Sequence, residues 1–252
     1  MPAVDLNSDL GEGYGVWRLG DDAEMLEIVT SANIACGFHA GDPSTLRSVC
    51  FDAVSKHVRI GAQVSYPDLA GFGRRRIDMA PRELTDAVLY QLGALDAFAQ
   101  VAGSEVSYVK PHGALYHAAC AEREVADALV EAISDYDHSM AVLGLPGSAL
   151  LKSAEDAGLD VAAEAFADRA YNEDGTLVPR GHDGAVLTDP QAIAERAVHM
   201  VMTQTVTSQS GRTLSVPLRS LCVHGDTPGA VNIARSVRNA LEAEGIGIYS
   251  FT

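Results

Sequence analysis

The sequence predicts an α/β protein whose parallel strands close into a barrel, and three observations carry that prediction. Strand, loop and helix recur in that order about seven times along the chain. No shift in composition marks a linker, so one domain spanning residues 1–252 is expected. Polar residues gather after one strand after another. Repeated βα units with right-handed crossovers make a parallel sheet covered by helices. At 252 residues a barrel is the simplest closure, with a doubly wound open sheet as the alternative.

Taken in order, Ala3–Asp9 reads as a strand entering the loop N-S-D-L-G-E-G, which carries Asn7, Asp9 and Glu12. Asp22–Thr30 reads as a helix and Ser31–Cys36 as a buried strand running into G-F-H-A-G-D-P, with His39 and Asp42. Asp42-Pro43 is a helix start, Asp as cap and Pro in the first turn. The helix Ser44–Lys56 leads to the strand Val58–Val64 and a loop holding Tyr66, Asp68 and the cationic run Arg74-Arg75-Arg76. A long amphipathic helix, Arg82–Val101, stops at Gly103. The strand Glu105–Val109 follows, then helix Ala121–Ser134, strand Met140–Leu143, helix Ser148–Ala157 and strand Leu159–Ala163, which ends in Glu164, Asp168 and Arg169. Residues Tyr171–Gly184 form a loop long enough to be a lid or binding element. Asp189-Pro190 starts a helix to about Met202; a polar segment, the strand Leu218–Val223 with His224 and Asp226 behind it, a helix Gly229–Glu244 and a strand Ile246–Phe251 complete the chain.

The balance of 18 Lys+Arg against 34 Asp+Glu gives a formal charge of -16. Such a surface repels nucleic-acid backbones and anionic lipid, so an anionic substrate needs a local cationic pocket. No signal peptide and no apolar run long enough to span a bilayer is visible, and a soluble, cytoplasmic protein is expected. The four cysteines form no C-x-x-C pair, which argues against disulfides and a structural zinc site.

The densest chemistry lies in V-K-P-H-G-A-L-Y, residues 109–116. Lys110 is one of only three lysines, and period-two alternation puts it on the same face as His112. Pro111 favours the extended backbone this requires. Six such groups at strand carboxyl ends converge in a barrel on one mouth: Asp9 with Glu12, His39 with Asp42, Tyr66 with Asp68, Lys110 with His112, Glu164 with Asp168 and Arg169, His224 with Asp226. A cap or turn role is the blander reading of any one of them, but carboxylates, imidazoles and cations sharing one position suit acid/base work on a small polar substrate. Asp9, His39 and His112 offer a mixed oxygen and nitrogen set for a divalent metal. Neither a P-loop nor a G-x-G-x-x-G after the first strand is present, and Ser148 does not sit in a G-x-S-x-G elbow.

Six motifs together, D-L-N-S-D-L-G-E-G, S-A-N-I-A-C-G-F-H-A-G-D-P, G-A-Q-V-S-Y-P-D-L-A-G-F-G-R-R, V-K-P-H-G-A-L-Y, E-A-F-A-D-R-x-Y and C-V-H-G-D, resemble the LamB/YcsF family from Asp5 to the final strand. The resemblance implies a single-domain distorted (β/α)7 TIM-like barrel similar to polysaccharide deacetylases. It also implies ATP-dependent hydrolysis of 5-oxo-L-proline to L-glutamate, with ATP as co-substrate, carried out with two partner 5-oxoprolinase subunits, B and C. In that reading Lys110 and Arg169 bind phosphate or substrate carboxylate, with Tyr66, Arg74, Asp168, His224 and Asp226 as further binding candidates. Asp9, Glu12, His39, His112 and Glu164 are candidates for base or metal work. Many family members carry His-Pro where this chain has Gln63-Val64, so no ligand or base role is given to that position. A five-membered lactam is a resonance-stabilised amide with a poor leaving group, and phosphorylating its oxygen makes it a better electrophile. A metal-dependent deacetylase of a sugar amide and a non-catalytic small-molecule sensor are the competing readings.

Overall fold

The computed structural model describes residues 2–252. The first half of the chain runs β1 (Ala3–Leu10), α1 (Asp22–Met25), β2 (Ser31–Ala35), α2 (Pro43–Ser55), β3 (Arg59–Val64), α3 (Pro81–Val101) and β4 (Val106–Pro111). The second half runs α4 (Gly113–Ala121), α5 (Arg123–Tyr136), β5 (Ala141–Gly144), α6 (Ala149–Asp156), β6 (Val161–Phe166), α7 (Pro190–Thr203), β7 (Thr205–Thr207), β8 (Thr213–Ser215), β9 (Ser220–Cys222), α8 (Ala230–Ala243) and β10 (Gly247–Ile248).

Strands β1-β2-β3-β4-β5-β6-β9 are parallel neighbours, and β9 pairs with both β6 and β1, closing a seven-stranded ring. Closure is the outcome expected from the repeated βα pattern, and it rules out the open sheet. β10 joins only the first residues of β1, Ala3 and Val4. The helices cover the outside. In α3, Leu84, Val88, Leu92, Leu95 and Ala99 recur at three- and four-residue spacing and are buried on one face. Each such leucine stabilises the shell by about 1.5–3 kcal/mol. No helix among the described residues is long and apolar enough to cross a membrane.

Four sequence expectations change. Only Asp22–Met25 is helical in the stretch 22–30, because Thr30 already donates its amide to Leu6 O at 2.8 Å and must be extended to start β2. The expected helix Ala121–Ser134 becomes α5 and is preceded by a separate helix, α4, the break falling where Glu122 adopts an extended backbone and α5 turns to pack against α3. The polar stretch after α7 folds into the antiparallel hairpin β7/β8, with Val206 buried beneath it. The expected final strand shrinks to two residues.

Candidate active site

β1 continues through Leu10, so Asn7 and Asp9 belong to a strand, not to the loop after it. Alternation then turns Asp5, Asn7 and Asp9 to one side, and their partners show that this side is the barrel interior. Lowest in the barrel, Asp5 accepts from the hydroxyls of Thr30 (2.7 Å), Ser31 (2.6 Å) and Ser220. One level up, Lys110 Nζ lies 2.8 Å from Glu164 Oε2, 3.1 Å from Asn7 Oδ1 and 3.3 Å from Cys222 Sγ. Asn33 joins this level, donating to Asn7 (2.8 Å) and to Asp9 (2.9 Å) and accepting from the hydroxyl of Tyr108 at 2.7 Å.

The top level is the mouth. His112 donates from Nε2 to Phe72 O at 3.0 Å, since a carbonyl can only accept, and this leaves Nδ1 facing Glu12 at 3.5 Å and Asp9 at 3.9 Å. Its ring stacks on His39, with centroids 4.2 Å apart. The loop that supplies the Phe72 carbonyl is held close by Gly73 and Gly113. A side chain on Gly73 (φ +66°) would collide with Ser65 Oγ, and one on Gly113 (φ +58°) would meet Gly73 O at 2.5 Å. Phe72 itself sits at φ +55°, a left-handed conformation in a non-glycine residue at the site.

Gln63 joins the two sides of the mouth. Its amide nitrogen donates to Glu12 Oε1 at 3.1 Å, and its oxygen lies 3.0 Å from His39 Nε2. On the far side Asp168 accepts from His224 Nδ1 at 2.9 Å, which fixes the tautomer and leaves Nε2 as that ring's free nitrogen. Phe166 stacks against the same imidazole.

The charges of this cluster are split by their surroundings. Burial alone would raise Asp9, but the Lys110 ammonium, then His112 and His224, outweigh it and hold its carboxyl well below the usual range. Burial, followed by the charges of Asp9 and Asp226, pushes Glu12 well above it. Burial would lower the Lys110 ammonium, yet Cys222, Glu164 and Asp9 keep it charged. His39 is driven toward the neutral form by burial and by His112. Carboxyls pushed in opposite directions are the arrangement by which one site holds both an acid and a base.

Above this cluster opens a cavity of about 470 Å³ whose lining includes Asp9, Lys110, His112, Tyr116, Phe166 and His224. Four arginines, Arg74, Arg76, Arg169 and Arg180, stand around it, and the first turn of α4 adds Gly113 and Ala114 to its wall, the Ala114 amide donating to Gly73 O at 2.8 Å. This is the local cationic pocket that a chain of charge -16 requires for an anionic ligand.

The residues expected from sequence divide into three groups. Asp9, Glu12, His39, Lys110, His112 and Glu164 come together at the mouth and just below it. Arg74, Arg169 and His224 line the cavity, with Asp168 behind His224. Asp226 is no free ligand, since it holds Arg74 and Arg180 (3.2 Å) in place. Arg169 donates to the carbonyls of Val178 (2.5 Å) and Ala185 (3.2 Å), so it ties down the long loop, which in turn brings Leu177, Pro179 and Arg180 to the cavity. Tyr66 does not reach the cavity and packs in the core. Asp42 caps α2 and Asp68 pins Arg75 and the Gly71 amide, the blander of their two readings.

The metal set also shifts. Among the described residues the group able to converge on one ion is Glu12, His39 and His112, with one ligand atom from each lying within 4.8 Å of the others; Asp9 instead faces Lys110 at 3.6 Å. The donors fit a divalent metal. His112 gives its other ring hydrogen to a carbonyl, His39 Nδ1 is buried without a hydrogen-bond partner, and Gln63 orients both His39 and Glu12. Sequence reasoning named Asn7 only as part of the first loop and gave Gln63 no ligand or base role, and it passed over Asn33, Tyr108, Tyr116 and Arg180. For Asn7 the alternation Asp5, Asn7, Asp9 was a readable signal.

Fold and mouth define an α/β-barrel protein of hydrolase type, with carboxylates, imidazoles and a lysine gathered at the carboxyl ends of its strands. The chain belongs to the LamB/YcsF family, whose model matches residues 4–252. A protein of Streptomyces avermitilis, named as the A subunit of 5-oxoprolinase, is 59% identical over 248 residues, covering 98% of this chain and 99% of that protein. One of the same name from Mycolicibacterium gilvum is 57% identical over the full length of both. The lactam utilization protein of Thermus thermophilus superposes with a TM-score of 0.94 at 43% identity, over 99% of this chain and 100% of that one. A family 4 carbohydrate esterase from Streptomyces lividans, TM-score 0.50 and 11% identity over 100% of this chain and 93% of that one, shares the fold alone.

Proposed function

We propose that this chain is the A subunit of an ATP-dependent 5-oxoprolinase, hydrolysing 5-oxo-L-proline to L-glutamate in a complex with subunits B and C. The observation that carries the proposal is full-length similarity to proteins of that name, at 59% identity in the Streptomyces avermitilis relative. The cavity makes it chemically sensible, being roomier than a five-membered lactam requires and rimmed by cations suited to a carboxylate and a phosphoryl group.

In this reading Arg180, steadied by Asp226, receives the substrate carboxylate, and Arg169 holds the loop that presents Arg180. Lys110 faces the lactam oxygen, where negative charge builds as phosphate is transferred. Water then adds at the ring carbon, the C–N bond breaks as the nitrogen takes up a proton, and the acyl phosphate left behind is hydrolysed to glutamate and phosphate. His224, oriented by Asp168 with Nε2 free, is the base that activates water. Glu12, its carboxyl raised by burial and by Asp9, is the acid for the departing nitrogen while that site holds no metal. Were a divalent metal held by Glu12, His39 and His112, it would supply Lewis-acid polarisation of an oxygen, and Glu12 would then serve as a ligand in place of the acid. A metal-dependent deacetylase is the second reading, favoured by that same ligand cluster.

The test is co-expression with candidate B and C subunits and an assay of 5-oxoproline-dependent release of ADP and glutamate. Stoichiometric release is expected from the complex, and near inactivity from the single chain, which has no recognisable nucleotide motif. Metal-dependent deacetylation of sugar amides without ATP would replace this reading with the second.

A further inference from the structure

The loop between β1 and α1 carries Glu12 near its start and runs from the mouth to an apolar tip. Val16 is 90% exposed, Trp17 66% and Leu19 47%, three large apolar side chains within four residues. Elsewhere Tyr90 stacks on Phe38 and Phe51 lies beside Arg47, so their exposed surface has local company. The tip is also pre-shaped. Tyr14 and Trp17 exchange two backbone hydrogen bonds of 3.0 Å, Gly15 N donates to the Asp42 carboxylate at 2.8 Å, and Gly41 N donates to Gly13 O at 2.9 Å. At the other end Gly20 is pressed so closely to the loop after β9 that a side chain there would lie 2.9 Å from Gly225 O. A segment anchored at both ends holds its tryptophan out in one place, which lowers the ordering cost of binding.

Beside the tip, Arg18 makes no hydrogen bond or ion pair with any described residue, whereas Arg74, Arg75, Arg76 and Arg180 around the same mouth are all paired. An exposed tryptophan flanked by a free arginine is the composition of an interface anchor. We infer that the Val16–Trp17 tip is where another subunit of the 5-oxoprolinase docks, through an apolar pocket bordered by carboxylates that receive Arg18. The inference rests on the multi-subunit reading above. Its consequence is mechanical, since the docked subunit would bear on the loop that carries Glu12 and cover the cavity from that side.

Trp17 is the only tryptophan in the chain, so one label reports on the tip alone. The chain carrying 5-fluorotryptophan is titrated with unlabelled B and C subunits and followed by fluorine NMR. Its single resonance is expected to shift or broaden as the complex forms. Trp17→Ala and Val16→Asp, with thermal midpoints close to the parent's, are expected to weaken association at least tenfold. An unmoved resonance and unchanged affinity in a complex that does assemble would overturn the docking site and leave the proposed function standing. Failure of the parent chain to bind either subunit would overturn both. A resonance that moves with the concentration of this chain alone would assign the tip to contacts between its own copies and overturn the proposal.

Discussion

The two ends of the barrel interior are equally buried and differently finished. At the lower end Asp5 is surrounded by three hydroxyls that all donate to it, and Ser220 is itself engaged by Asn7 at 2.7 Å. Toward the mouth, Glu164 Oε1 and Tyr116 Oη have only each other, and His39 Nδ1 is buried without a hydrogen-bond partner. A buried polar group left unpaired costs about 1–3 kcal/mol, so the bare His39 Nδ1 in the group with Glu12 and His112 marks a place shaped for something besides stability. The lower end supports the fold, and the upper end awaits a ligand.

The largest effect is expected where the two purposes meet. Lys110 is the cation of the mouth and the partner of Glu164. Lys110→Met removes one half of a buried pair, which typically costs about 3–5 kcal/mol, and should abolish turnover of the reconstituted complex by at least about a hundredfold. Thermal melting and ADP release check the two halves of that statement. Lys110→Arg keeps the charge but not the compact donor and should lose most activity too. Near-normal rates in Lys110→Arg would place the essential charge elsewhere.

Next comes Asp168→Asn, which takes from His224 the partner that fixes its tautomer. Turnover should fall on the order of a hundredfold or more with KM for 5-oxoproline little changed. A rise in KM at constant kcat would turn Asp168 into a substrate-binding group.

Glu12→Gln sharpens the account of the metal cluster. The purified chain should lose divalent-metal affinity by about 10–100-fold in calorimetric titration, and Gln63→Ala, which leaves the three ligands intact but unoriented, should lose less. Equal binding by the parent and Glu12→Gln would exclude Glu12 as a ligand.

The effect that leaves turnover untouched belongs to the lower end and concerns pH. Burial, opposed by the three hydroxyls, raises the Asp5 carboxyl from 3.8 to about 6. The folded state therefore holds a proton that the unfolded state releases, so the contribution of Asp5 to stability falls as pH rises from about 4 to 6 and stays low above that. Asp5→Asn removes this dependence. It should be close to neutral at about pH 4 and stabilising at about pH 8 by up to about 3 kcal/mol, with activity of the complex retained. A substitution equally destabilising at both pH values would show that the carboxylate hydrogen bonds outweigh the cost of burial.

Much of this was legible in the chain, for physical reasons. Lys110 and His112 share a face because strand periodicity is two, and Pro111 between them reports extended backbone, so their convergence could be read without coordinates. The closed barrel followed from repeated βα units. What escaped was chemistry between residues far apart in sequence. Nothing local announces that Gln63 spans Glu12 and His39, that Asp226 spends its charge on Arg74 and Arg180, or that Glu12 and not Asp9 completes the cluster with the histidines. Tyr66 misled because an aromatic after a strand in a glycine-rich loop reads as a ligand contact, whereas its ring is taken by the core.

The central claim is that Lys110 is buried for function and that Glu164 is what makes its burial tolerable. The double substitution Lys110→Met with Glu164→Leu tests it most directly, because it removes both charges and leaves an apolar pair in their place. Thermal melting of the chain and turnover of its complex with B and C are measured on the same preparations. The account predicts that the double variant recovers most of the stability lost in Lys110→Met and none of the 5-oxoproline-dependent turnover. Recovery of turnover together with stability would contradict it, and would make the ion pair a structural element only.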